Sequence, residues 1–227
     1  MGALGFVSDF VRYSSPPIII GVDFGKQRDP TAIVVVEGIK VDRPGLRPEW
    51  LFETRHLERL ALGTDYRAVG RRIAEVVRNI EARPVALNQY PPKLTLIVDA
   101  TGVGRPVTDI LKDALHGSRC KVTPATFTHG DRLVNGSSSG HYGELSVGKA
   151  FLVSRLQALF QTERIKLPAN HPEATAMVDE LMNYEIRVSE DASDKMGVFK
   201  TGKHDDLATA LGLAVLMDPP GAGLQTF

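Results

Sequence analysis

The chain has 227 residues, of which 43% are hydrophobic, so it can bury one good core and fits one domain better than two. Its 27 basic and 27 acidic residues give no formal net charge, whereas domains that grip DNA tightly are usually basic, and this counts against strong autonomous binding to nucleic acid. The sequence has no run of about 18 apolar residues, no signal-peptide pattern and a single cysteine, which excludes a membrane span and an internal disulfide and predicts a soluble intracellular protein.

The first part of the chain predicts three antiparallel strands. Residues 1–16 have no clear period and are interpreted as a linker or the remnant of something upstream. The β-branched run 18–25 is typical of a strand covered on both faces, and it contains Asp23 at its end. Residues 31–38 and 50–57 follow after short turns, so the opening is predicted to be an antiparallel meander.

The remainder predicts alternating helices and strands. Buried strand 94–99 ends in Asp99, and a glycine-rich turn leads from it into a helix, which indicates that the sheet becomes parallel here. The polar stretch 129–144 predicts a functional loop with room for a hairpin turning at Asn135-Gly136. The other predicted elements are helices over 65–82, 107–115, 146–160 and 174–184, a strand over 121–127, an extra hairpin over 185–200, a buried helix from Asp205 and a flexible tail over 219–227.

Carboxylates stand at the ends of three of these elements. Asp23 and Asp99 end buried strands, and Asp205 and Asp206 open a helix, where the macrodipole favours negative charge. The first strand is expected beside the fourth, so Asp23 and Asp99 end side by side, and such close carboxylates repel unless a cation shares them. Oxygen ligands suit Mg²⁺, whereas the six histidines lack zinc-site spacing. Two such ions about 4 Å apart would hydrolyse a phosphodiester.

Three motifs carry these acids in a recognisable order. They are Gly21-Val22-Asp23-Phe24-Gly25 followed by Asp29-Pro30-Thr31-Ala32, then Val98-Asp99-Ala100-Thr101-Gly102-Val103-Gly104, then Gly202-Lys203-His204-Asp205-Asp206-Leu207-Ala208-Thr209-Ala210. Together they resemble the C-terminal nuclease domain of the large terminase subunit of tailed bacteriophages. The resemblance runs from about residue 17 to 217, and the His-Asp-Asp-Leu segment is its most specific part.

The resemblance implies a fold, an activity and a set of site residues. The fold would be α/β and ribonuclease H-like: a mixed five-stranded sheet over residues 17–218, with the first three strands antiparallel and the rest parallel, flanked by helices. The activity would be that of an endodeoxyribonuclease, which cuts concatemeric viral double-stranded DNA at the start and end of genome packaging with little sequence specificity. Carried over by position, Asp23, Asp99 and Asp206 would form the catalytic metal-binding triad. Asp205 and Asp29 would bind or orient a second Mg²⁺ or Mn²⁺ ion.

The resemblance also implies partners. In the complete protein these would be duplex DNA, an ATPase domain, the portal and the small terminase subunit, in the host cytoplasm during phage assembly rather than in a membrane or outside the cell. No Gly-x-x-x-x-Gly-Lys-Ser/Thr loop occurs in the sequence. We therefore expect an isolated, monomeric nuclease domain without ATPase activity. The expected DNA contacts are Arg105, Lys149, Lys203 and His204.

Other interpretations stay open at this stage. Asp205 could serve only as a helix N-cap, and Asp29 could serve only the turn before Pro30. A resolvase or transposase would share the fold and the metal site but would normally be more basic. A docking module for the portal or small terminase, with a silent nuclease site, is the non-enzyme alternative. An actin-like or sugar-kinase ATPase uses similar aspartate and glycine turns but needs a longer chain.

Overall fold

The computed structural model describes residues 13–25, 29–42, 49–86, 89–101, 104–136, 143–182 and 205–219. The strands are β1 (Tyr13–Ser14), β2 (Ile18–Asp23), β3 (Ala32–Val41), β4 (Glu49–Arg59), β5 (Gln89–Tyr90), β6 (Leu94–Asp99), β7 (Lys121–Thr128), β8 (Leu133–Asn135), β9 (Leu145–Gly148) and β10 (Ile165–Lys166). The helices are α1 (Tyr66–Glu81), α2 (Gly104–Ala114), α3 (Lys149–Gln161), α4 (Pro172–Met182) and α5 (Asp206–Ala214). None of these helices combines the length and the apolar character needed to cross a membrane.

Eight of the strands form one mixed sheet in the order β10-β4-β3-β2-β6-β7-β9-β8, and β1 pairs with β5 separately. Strands β2, β3 and β4 are antiparallel, whereas β2, β6, β7 and β9 run parallel. The predicted antiparallel meander followed by parallel strands is confirmed.

The sheet has eight strands and not the five predicted. The three additional strands, β8, β9 and β10, are only two to four residues long, too short for a periodic pattern to show in the sequence. Strand β8 pairs antiparallel with β9, so a hairpin is present as predicted. The predicted turn at Asn135-Gly136 is wrong, because Asn135 pairs with Leu145 and the N–H of Gly136 donates to the carbonyl of Glu144. The extra hairpin predicted over 185–200 lies outside the described residues.

Helices cover both faces of the sheet, and strand alternation decides which side chains meet which helices. On one face, Ile19 and Ile97 pack in a core with α3, α4 and α5. On the other face, Ile20 and Val22 pack in a core with α1 and α2. Since side chains alternate between faces along a strand, odd-numbered positions of β2 and of β6 point toward α5.

Helix α5 packs almost directly on the backbone of β2. A β-carbon on Gly21 would overlap the carbonyl oxygen of Ala210 and lie 2.8 Å from the amide nitrogen of Ala214. On the other side of α5, a β-carbon on Gly212 would lie 2.5 Å from Cδ2 of Leu152 in α3. Two glycines thus let α5 sit between the sheet and α3, with every residue of the helix buried.

Candidate metal centre

Asp23 and Asp99 lie side by side at one edge of the sheet. Strands β2 and β6 are parallel neighbours with Val22 opposite Val98, so the next residue of each strand is an aspartate at the same level. Both aspartates fall on odd-numbered positions, which places them on the α5 side of the sheet. The backbone N–H of Thr101 donates to Oδ1 of Asp99 at 2.7 Å. The predicted adjacency of the two strands is confirmed.

Asp205 and Asp206 reach the same edge from α5. Asp205 occupies the N-cap position, but its side chain makes no capping hydrogen bond. Asp206 is the first residue of the helix and is only 3% exposed. Neighbouring residues of a helix point about 100° apart, so the two carboxylates face different surroundings.

A cleft of about 160 Å³ joins these segments. It is lined by Asp23, Asp99, Phe127, Lys149, Leu152, Asp205 and Thr209. Lys149 begins α3 directly after β9, and its Nζ lies 5.8 Å from the centroid of the Phe127 ring. Three carboxylates from distant parts of the chain therefore share one small, polar cleft with a cationic side chain.

Several negatively charged carboxylates lie close together at the cleft and repel one another. Burial raises the pKa of Asp23 well above its ordinary value, and the charges of Asp99, Asp205 and Asp206 raise it further. Lys149 opposes this effect and lowers the pKa of Asp23. A cation placed among the carboxylates would relieve the repulsion.

The donor set fits a hard divalent cation. Within the described ranges, no group of three or more Asp, Glu, His or Cys side chains is arranged to hold one metal ion together. The acids instead line an open cleft, and Mg²⁺ commonly binds through one or two carboxylates while keeping several waters. Carboxylate oxygens also suit Mn²⁺. One or two of the cleft-lining acids Asp23, Asp99 and Asp205 could therefore bind such an ion, with water filling its other positions.

Of the remaining predicted site residues, the structure describes the side chain of Asp29. Asp29 is exposed and lines a separate cleft of about 390 Å³ with residues that include Gly25 and Tyr66. Arg105 belongs to α2, but its side chain lies outside the described part of the structure, as do Lys203 and His204.

Three residues that position the site were not predicted from the sequence. Gly21 permits the approach of α5, and the signal for it was available, because an isolated glycine in a strand often marks close contact with another backbone. Glu180 of α4 and Arg59 of β4 contact each other beneath α5. Buried residues Ala174, Met177 and Glu180 recur every three positions, so helical spacing could have placed Glu180 on the packed face. No signal in the sequence identifies Arg59 as its partner.

A groove of about 440 Å³ lies between α3 and α4 and is chemically unlike the acidic cleft. Apolar side chains such as Leu156, Phe160 and Val178 line it together with two glutamines. The residues that line it include no titratable or nucleophilic side chain.

The whole structure is similar to solved nuclease domains of viral large terminase subunits. No protein-family model and no curated protein matches the sequence. The large terminase nuclease from thermophilic phage G20c is 22% identical, with a TM-score of 0.54 over 92% of this chain and 87% of that one. The nuclease domain of the large terminase subunit gp2 of bacterial virus Sf6 is 11% identical, with a TM-score of 0.54 over 88% of both chains. Its K428A mutant with manganese and β-thujaplicinol gives a TM-score of 0.56 over 88% of both chains.

These similarities concern the fold. They cover 87–92% of each chain in these comparisons. At this level of identity the fold can be shared while the chemistry differs. The chain has the mixed α/β, ribonuclease H-like fold of the large-terminase nuclease domains.

Proposed function

We propose that this chain is the nuclease domain of a viral DNA-packaging enzyme. It would be a metal-dependent endodeoxyribonuclease that cuts concatemeric viral duplex DNA when packaging begins and ends, with little sequence specificity. The observation that carries the proposal is the convergence of Asp23, Asp99 and Asp205 on one cleft at the sheet edge, in a fold shared with terminase nuclease domains. In the host cytoplasm its partners would be an ATPase domain, the portal and the small terminase subunit.

The proposed cofactor is a pair of Mg²⁺ or Mn²⁺ ions. When bound, such ions activate water and stabilise the leaving oxygen of a phosphodiester. Asp23, Asp99 and Asp205 would hold them, because these side chains line the cleft. Asp206, the triad member that the resemblance implies, would contribute its negative charge from within the core, since it is 3% exposed. Asp29 lines a separate cleft, so it is not proposed as a direct ligand of these ions.

Lys149 would orient the DNA backbone. It lines the cleft and stands at the first turn of α3, where a phosphate oxygen could meet both its ammonium group and helix N–H groups. Phosphate contacts of this kind fix the position of a duplex without reading its sequence. Arg105, Lys203 and His204 are proposed as further contacts to DNA.

A plasmid assay tests the proposed function. With Mn²⁺ or Mg²⁺, the chain is expected to nick and then linearise supercoiled plasmid, and EDTA is expected to stop the reaction. Asp99→Asn should remove the activity, and no ATP hydrolysis should accompany it. Cleavage of four-way junctions alone would favour the resolvase alternative. A folded chain that binds Mn²⁺ but cuts neither substrate would contradict the proposal and favour a docking module.

A further inference from the structure

Helix α5, which brings Asp205 to the cleft, is not capped by its own N-cap residue. An aspartate at the N-cap usually accepts a hydrogen bond from the N–H of the second or third helical residue. Asp65 does this for α1, where its Oδ1 accepts from the N–H groups of Arg67 and Ala68, both at 2.9 Å. Asp205 makes no such bond, although it occupies the equivalent position in α5.

The cap of α5 comes instead from α4. Ala208 is the third residue of α5, and its N–H donates to Oε2 of Glu180 at 2.9 Å. Glu180 is 7% exposed, and its other oxygen accepts a hydrogen bond from Nη2 of Arg59, at the end of β4. Both oxygens of this buried carboxylate are therefore engaged, and the guanidinium balances its charge.

The carboxylates of Glu180 and Asp205 could each accept from the N–H of Ala208. The N–H of Ala208 is one of the two groups that an N-cap aspartate would ordinarily bind, and Glu180 already occupies it. The carboxylate of Asp205 makes no capping hydrogen bond and lines the cleft with Asp23 and Asp99. If Glu180 were removed, rotation of the Asp205 side chain toward Ala208 would satisfy the helix and withdraw a carboxylate from the cleft.

We propose that Glu180 and Arg59 form a positioning pair that frees Asp205 from helix capping and thereby sets the affinity of the cleft for a divalent cation. The inference rests on the proposed function, because it takes Asp205 as a ligand of the ion. Glu180 touches neither the ion nor the DNA. It acts through the position of Asp205.

Binding of Mn²⁺ to the metal-free 227-residue chain, measured by isothermal titration calorimetry, tests this role. Glu180→Ala is expected to weaken Mn²⁺ binding about tenfold, the scale on which groups that orient metal ligands act. Glu180→Gln keeps an oxygen that can accept from the N–H of Ala208, so this variant should lose less affinity for Mn²⁺ than Glu180→Ala. Glu180→Asp keeps the charge but shortens the reach to Ala208, so it should weaken binding even if the alanine variant does not fold.

Glu173→Ala is the matched control. Glu173 lies on the same helix and approaches the same guanidinium, with 3.5 Å between its Oε2 and Nη1 of Arg59. Of the two glutamates, Glu180 is the one that caps α5. Mn²⁺ affinity in Glu173→Ala should therefore equal that of the wild-type chain.

A double-mutant cycle separates positioning from general support of the fold. In an Asp205→Ala background, Glu180→Ala should have no further effect on Mn²⁺ affinity, because the residue through which it acts is gone. Equal losses in both backgrounds, or unchanged affinity in Glu180→Ala and Glu180→Asp, would overturn the inference while leaving the proposed function intact. A wild-type chain that does not bind Mn²⁺ would overturn both.

Discussion

Two adjacent carboxylates with different surroundings are central to the candidate site. Asp205 lines the cleft, whereas Asp206 is 3% exposed and raises the pKa of Asp23 through its charge. The helix geometry requires this separation, because successive side chains diverge by about 100°. Sequence similarity alone cannot assign different roles to the two residues, but their burial can.

Replacing each of the two residues by asparagine tests the assignment. Asp205→Asn is expected to lower the cleavage rate by about 100-fold, the scale on which removal of one preorganised electrostatic group acts. Asp206→Asn should retain more cleavage but lose more stability, because an acidic residue in the first turn interacts favourably with the helix dipole. Plasmid cleavage and thermal melting of both variants provide the measurement. A larger loss of cleavage in Asp206→Asn would reverse the assignment.

At the scale of elements, the site depends on how closely α5 approaches β2. The N-terminus of α5 can lie beside the end of β2 only because Gly21 presents no side chain to Ala210. Any β-carbon at this position would collide with backbone atoms, which cannot rotate away as a flexible side chain can.

Gly21→Ala is therefore expected to destabilise the fold by about 3 kcal/mol or more, at the upper end of the usual cost of overpacking. The free energy of unfolding in urea is the measurement. Gly130→Ala is the matched control, since a β-carbon there would meet its nearest atom, Oγ1 of Thr128, at 3.8 Å, an ordinary contact. Equal stability of the two variants would show that α5 can shift away from β2 at little cost.

The sequence predicted the elements better than it predicted their contacts. The runs ending in Asp23 and Asp99 were long enough to show as buried strands, and their parallel pairing followed from the glycine turn between strand and helix. The three-residue strand β8 and the four-residue strand β9 were too short to show a periodic pattern. The hydrogen bond from Ala208 to Glu180 joins residues 28 positions apart, and no local pattern specifies such a partner. Long-range contacts of this kind required the three-dimensional structure.

The whole molecule combines zero net charge with a concentrated acidic cleft. Association with DNA depends strongly on neutralisation of phosphates by basic groups, and a neutral domain provides little of this on average. Bound cations would reverse the sign of the local field at the cleft. Under the proposed function, the domain would therefore engage DNA mainly where metal ions and Lys149 meet the backbone, and other parts of the proposed complex would supply affinity.

The same acidic cleft predicts how stability depends on pH and on divalent ions. Burial and the neighbouring acids raise the pKa of Asp23 above its ordinary value of 3.8. At pH values between 3.8 and this raised pKa, the folded metal-free chain therefore binds more protons than the unfolded chain. This contribution therefore lowers stability as the pH rises through that window. Groups such as Glu58, whose pKa is lowered because hydrogen bonds from Arg72 and His56 outweigh its burial, act in the opposite direction at low pH.

Comparison with Asp23→Asn isolates the contribution of Asp23, because the other groups are common to both chains. Without metal at pH 8, the melting temperature of Asp23→Asn should exceed that of the wild-type chain, by about 2 to 4 °C for each kcal/mol of repulsion removed. Saturating Mn²⁺ should raise the melting temperature of the wild-type chain more at higher pH than at lower pH, because protons compete less with the ion for Asp23 as the pH rises. It should raise the melting temperature of Asp23→Asn much less. Differential scanning fluorimetry gives all of these values. A wild-type chain that is the more stable of the two at pH 8 without metal would show that the carboxylates are not in electrostatic conflict, and the main reason for the cleft to attract a cation would be lost.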